Sequence, residues 1–210
     1  MRTYSLLLGA LALGVAASSA GAQVWNEVGD AGQNGVSQAQ VISGSGPLAA
    51  ISGALTGVND VDLYAIQITD EANFLATTVG GAAFDTQLFL FNADGSGQVE
   101  NDDFAATLQS GVNSDGVFSN GLYYLAISSF NADPLDINNV DPFGFDTYPG
   151  TGDQRMPVTS DPLASWDTFG GGEGVYRISL TGASFVEVPE PASLALVGLG
   201  GLAALRRRRA

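Results

Sequence analysis

Asp60 and Asp62 stand two residues apart, and Asn101, Asp102 and Asp103 form an unbroken oxygen-bearing run further along the chain. In an extended segment, residues two apart project to the same side. The two carboxylates therefore repel each other unless a cation or hydrogen-bond donors lie between them. Together with Asn101, Asp102 and Asp103 they make an oxygen-only donor set, the type Ca²⁺ takes with about six to eight ligands. Calcium is the expected ion, with Asp60, Asp62, Asn101, Asp102 and Asp103 as candidate ligands. The plainer reading is that these are strand-end and turn residues, where Asp and Asn bond their own backbone. Asn92 to Gln98 begins like an EF-hand loop, but the ligand ladder ending in a spaced Glu is missing from the sequence.

The rest of the composition excludes most other chemistry. The 210-residue chain has no cysteine and no histidine, and its seven basic residues are all arginines. There is accordingly no Ser-His-Asp triad, no imidazole or thiolate ligand, no disulfide framework and no lysine for a Schiff base or a phosphate loop. Paired carboxylates can still cleave glycosidic bonds, one as acid and the other as base or nucleophile. That makes a small carbohydrate-active hydrolase the competing class. With 22 acidic residues such pairs arise by chance, so the chain is expected to be non-catalytic, with no catalytic residues.

The elements that must position these groups are strands. Short apolar runs bounded by Gly, Asn and Asp predict strands over Ala49 to Leu55, Leu63 to Thr69, Phe74 to Val79, Thr86 to Phe91, Leu122 to Ser128 and Val175 to Thr181. Tyr64, Ile66 and Ile68 alternate with Leu63, Ala65 and Gln67, and Tyr176, Ile178 and Leu180 alternate with Arg177, Ser179 and Thr181. Leu88 to Phe91 is apolar on both faces, as expected of a central strand covered on both sides. The inward set is expected to be Tyr64, Ile66, Ile68, Leu88, Leu90, Tyr124, Ile178 and Leu180. The fold class is all-β, an antiparallel β-sandwich.

Both ends read as targeting segments. Arg2, the apolar stretch Leu6 to Ala17, and the small residues Ala20 and Ala22 make a secretory signal helix over 1–22, cut by signal peptidase between Ala22 and Gln23. At the other end Pro189, Glu190 and Pro191 precede a short apolar helix, Ala192 to Leu205, and then Arg206, Arg207, Arg208 and Arg209. At about 1.5 Å per residue this helix is shorter than a bilayer core of about 30 Å. It is expected to hold the protein at the inner membrane only transiently, with the arginines kept cytoplasmic. Residues 23–187 form the domain between, with 21 acidic groups against Arg155 and Arg177, a net charge of −19. That balance argues against nucleic acid and points either to divalent cations or to a saline habitat.

The tail over 188–210 resembles the PEP-CTERM sorting signal of Gram-negative bacteria, a tail type also described as an ice-binding-protein C-terminal domain. The resemblance implies recognition by an exosortase, processing near Pro189 to Pro191, and delivery to the cell surface or a polysaccharide-rich extracellular matrix. The domain has no Thr-x-Thr array, so ice binding is not read from it.

Asp60-Val-Asp-Leu-Tyr64, Asp85-Thr-Gln-Leu-Phe-Leu-Phe91 with the turn Asn92-Ala-Asp-Gly95, Gly121-Leu-Tyr-Tyr-Leu-Ala-Ile127 and Val175-Tyr-Arg-Ile-Ser-Leu180 together resemble the bacterial pre-peptidase C-terminal domain. That family implies a jelly-roll-like sandwich, usually a non-catalytic accessory of secreted enzymes, with some members binding calcium or collagen. No peptidase precedes the domain in this sequence, so an accessory role to a neighbour in the same chain is not expected. An acidic insert, residues 131–174, separates the last matched strands and is expected to be a long loop. Its aromatics Phe143, Phe145, Tyr148, Trp166 and Phe169 are too many for a disordered segment. They either pack on the sandwich or stack on extracellular polysaccharide.

Overall fold

Alternating short apolar runs in a glycine-rich chain make strands the dominant regular structure among the described residues. The computed structural model describes residues 21–187 apart from 58, 115, 117, 148–152 and 168–170. The expected signal and C-terminal helices, the sorting residues Pro189 to Pro191 and Arg206 to Arg209, and the aromatics Tyr148 and Phe169 lie outside the described residues. No helix among the described residues is long and apolar enough to cross a membrane.

In chain order β1 spans Gln23–Asn26, β2 Gln40–Val41, β3 Leu48–Leu55, β4 Asp62–Ile68 and β5 Leu75–Thr77. β6 (Thr86–Phe91), β7 (Gly97–Asn101), β8 (Gly111–Asn113) and β9 (Gly121–Ser129) follow. The insert then contributes β10 (Pro134–Asp136), β11 (Phe143–Thr147), β12 (Arg155–Pro157) and β13 (Leu163–Trp166), before β14 (Gly174–Thr181) and β15 (Ala183–Ser184). One sheet has the order β1-β3-β14-β5-β8. The other runs β11-β12-β7-β6-β9-β4-β15, with β2 also pairing β4, while β10 and β13 pair separately. The long pairings are antiparallel, as in β4 with β9 and β14 with β3; β1 with β3 and β2 with β4 run parallel.

Register decides which residues meet. Tyr64 lies opposite Leu125 and Ile66 opposite Tyr123, while Leu88 lies opposite Ile127. Directly opposed residues share a face, so these side chains point together toward Ile51, Ile178 and Leu180 of the first sheet and form the inter-sheet core. The residues between them, Leu63, Phe89, Phe91 and Ala126, point the other way. There Phe143, Leu163 and Trp166 of the insert cover them as a second apolar cluster. Phe89 meets Trp166 edge-on with ring centroids 5.2 Å apart, and the Trp166 indole N–H donates to the Gln33 carbonyl at 2.8 Å. The molecule is thus a β-sandwich with a third layer laid over one sheet, and β6 is covered on both faces as its sequence predicts.

Two expectations need correction. Tyr124 does not point inward: its neighbour Tyr123 lies in the inter-sheet core, and Tyr124 packs against the cluster under the insert. A period of two fixes alternation but not phase where two tyrosines adjoin. The insert is also not a long loop without regular structure, since β11 and β12 extend the second sheet beyond β7.

Candidate functional site

Asp62 opens β4 on its inner face, one pleat from Tyr64, and is 0 % exposed. Its Oδ2 accepts the Tyr176 hydroxyl at 2.5 Å. The Tyr64 and Tyr176 hydroxyls are also 2.5 Å apart. Tyr176 has a single proton, which it gives to Asp62, so Tyr64 is the donor in the second bond. Asp62 Oδ1 is buried and has no hydrogen-bond partner.

Two further acids converge on this carboxylate. One carboxylate oxygen from each of Glu27, Asp30 and Asp62 lies within 4.8 Å of the others. Glu27 follows β1, and its two oxygens accept the Ala31 and Ala54 backbone N–H groups, each at 3.0 Å. Gly53 makes room: a Cβ there would stand 2.4 Å from the Tyr176 hydroxyl and 2.5 Å from Glu27 Oε2. Asp30 is exposed and lines an open cleft of about 540 Å³ shared with Gln33, Thr56, Asn59 and Asp60. The group therefore runs from solvent at Asp30 to full burial at Asp62. Burial first, and then the like charges of Glu27, Asp60 and Asp30, push the Asp62 carboxyl up to about 8, against the lowering effect of Tyr176.

Sequence reasoning singled out five ligands, and the fold divides them. Asp60 Oδ2 accepts the Thr56 backbone N–H at 2.5 Å and its hydroxyl at 3.1 Å, the role of a turn residue beside the cleft. Asn101 is occupied by backbone: its Oδ1 accepts the Gly111 N–H at 2.8 Å and its amide donates to the Asp103 carbonyl at 2.9 Å. Register aligns Asp62 with Ile127, Ile127 with Leu88, and Leu88 with Asn101. Three strand spacings, about 14 Å, separate the two ends of that row. Asp102 and Asp103 instead gather with Asp85, their oxygens within 4.8 Å of one another. Burial, then Asp103 and Asp85, raise the Asp102 carboxyl to about 6.

Glu27, Asp30, Gly53 and Tyr176 were not legible as partners of Asp62. Gly53 and Tyr176 lie on strands of the other sheet, and Glu27 and Asp30 in the segment after β1, so only the packing of the two sheets brings them beside Asp62, Tyr176 being 114 residues away. The one local signal was Tyr176 itself, on the inward phase of an alternating strand.

Among known families, the PEP-CTERM protein-sorting motif matches residues 187–209. The matched stretch holds Pro189, Glu190 and Pro191 and all four terminal arginines. The chain therefore carries a PEP-CTERM sorting motif, which implies exosortase processing, export, and a surface or extracellular location. No curated protein matches the chain. The match is confined to the tail, and the resemblance of the central domain to the pre-peptidase C-terminal family rests on its strand motifs alone.

Proposed function

We propose that the mature protein is a non-catalytic component of the cell surface or extracellular polysaccharide matrix, and that its sandwich binds Ca²⁺ through Glu27, Asp30 and Asp62. The observation that carries the calcium reading is Asp62 Oδ1, a fully buried oxygen without a partner on a carboxylate that gathers with two further acids. Leaving such an atom unsatisfied costs about 1–3 kcal/mol or more, and three adjacent carboxylates cannot all be ionised without a counter-charge. A divalent cation removes both costs. Ca²⁺ suits the set because it accepts irregular oxygen shells completed by water, whereas Mg²⁺ demands a near-ideal octahedron. The acids converge on one point instead of facing each other across the roughly 5–10 Å gap that glycoside hydrolysis requires, which favours holding an ion over catalysis at this place.

Binding to the folded state alone adds about 1.4 kcal/mol at roughly ten times Kd. Thermal melts at pH 8 in calcium, magnesium and sodium chloride of matched ionic strength separate a site from screening, because screening does not depend on ion identity. The expected result is a calcium-specific rise in Tm that Asp62→Asn and Glu27→Gln abolish. An equal rise in sodium chloride removes the calcium site and leaves the acids as a solvated coat.

A further inference from the structure

We infer that the insert builds a groove for an uncharged glycan chain, separate from the cation site and lined at one end by Phe145 and Arg155. Of the aromatics on β11, Phe143 is buried in the cluster over the second sheet, whereas Phe145, on the same strand, is 94 % exposed. The Arg155 guanidinium lies 5.7 Å from the Phe145 ring centroid. It is fixed there from below: Arg155 on β12 is paired in register with Glu100 of β7, and Nη1 lies 3.1 Å from the carboxylate of Glu100, which is 1 % exposed. A planar donor fork held by Glu100 thus stands over one face of an almost fully exposed apolar ring.

In front of them is a cleft of about 290 Å³, lined by Asp102, Asp103, Phe145, Thr147, Asp153 and Arg155. A second cleft of about 330 Å³ shares Asp103 and Asp153 with it and is also lined by Leu108, itself 59 % exposed. The two together fall within the span of about 300–1,000 Å³ usual for small-ligand sites. An apolar platform flanked by hydroxyl acceptors and guanidinium donors matches a sugar ring, which has an apolar C–H face and hydroxyls around its edge. The carboxylates of Asp102, Asp103 and Asp153 line the cleft as the acceptors. Asp103 and Asp153 line both clefts, so the two adjoin.

Charge narrows the ligand. Asp102, Asp103 and Asp153 line the groove and outnumber Arg155, the one cation among its lining residues, which is also held by Glu100. Uronate or sulfated chains are therefore repelled, and neutral pyranose chains are accepted. The inference rests on the matrix destination in the proposed function but uses none of the calcium-site residues.

The test is isothermal titration of the secreted protein with cellohexaose, mannohexaose and N-acetylchitohexaose, alongside hexagalacturonate and hexalysine, with products followed by chromatography. At least one neutral hexasaccharide is expected to bind. Phe145→Ala and Asp153→Asn should each weaken it at least tenfold with Tm unchanged, and Asp62→Asn should leave it alone. The groove is overturned if no neutral chain binds at millimolar concentration, if Phe145→Ala binds as well as the parent, or if hexagalacturonate or hexalysine is preferred. Shortening of a bound chain that Asp102→Asn stops would uphold the groove and overturn the non-catalytic reading instead.

Discussion

Asp62 couples the candidate cation site to pH, and the direction follows from its position. In the unfolded chain its carboxyl ionises near the ordinary aspartate value of 3.8, whereas in the folded state burial holds the proton to about 8. Between these values the folded state binds more protons than the unfolded one, so this group makes stability fall as pH rises from about 4 to about 8. The steepest contribution is about 1.4 kcal/mol per pH unit. Glu100, raised to about 8, and Asp102, raised to about 6, act in the same direction. In chelator, Tm is therefore expected to decline from pH 5 to pH 8, and Asp62→Asn should flatten part of that decline. Saturating calcium should flatten it too, because the ion replaces the proton. A parent profile that stays level in chelator would count against a buried, cation-hungry Asp62. This residue was visible in the sequence as half of an Asp-x-Asp pair, but its partners were not. Spacing detects groups on one strand, whereas Glu27, Asp30 and Tyr176 reach Asp62 through the β1-β3-β14 order and the packing of two sheets.

At the scale of elements, the informative signal was a strand apolar on both faces. Leu88 and Leu90 enter the inter-sheet core, so Phe89 and Phe91 require a cover of their own, and the insert supplies it with Phe143, Leu163 and Trp166. The need for that cover was legible, and the strands that meet it were not. β10 to β13 are three to five residues long, and the insert around them is rich in proline and acids, which blurs any alternation. Trp166 is the best probe of the layer because it touches both Phe89 and Phe91 and also bonds Gln33. Trp166→Ala is expected to cost about 3–5 kcal/mol, read as a lower midpoint in urea. Loss of tertiary order should be greatest over 131–174 in hydrogen exchange. A midpoint within experimental error of the parent would mean that the insert is not a structural layer.

For the whole molecule, charge and sorting are linked. The full chain carries −15, and residues 23–187 carry −19, because the targeting segments hold Arg2, Arg206, Arg207, Arg208 and Arg209 against the single acid Glu190. Removing both segments would strip most of the positive charge and leave a strongly acidic domain, which would either repel itself or recruit cations. Moving four guanidinium groups through hydrocarbon is prohibitive, so before processing the arginines are expected to stay on the cytoplasmic face. Release is then expected to need a cut ahead of the arginines, near the Pro189-Glu190-Pro191 segment of the sorting motif. Replacing those three residues with alanine is expected to leave full-length protein in the membrane fraction and to deplete it from the extracellular fraction. The parent protein extracted from the surface should show an intact mass lacking Arg206 to Arg209. Recovery of surface protein that still contains the four arginines would mean that the tail anchors the molecule and is not a point of release.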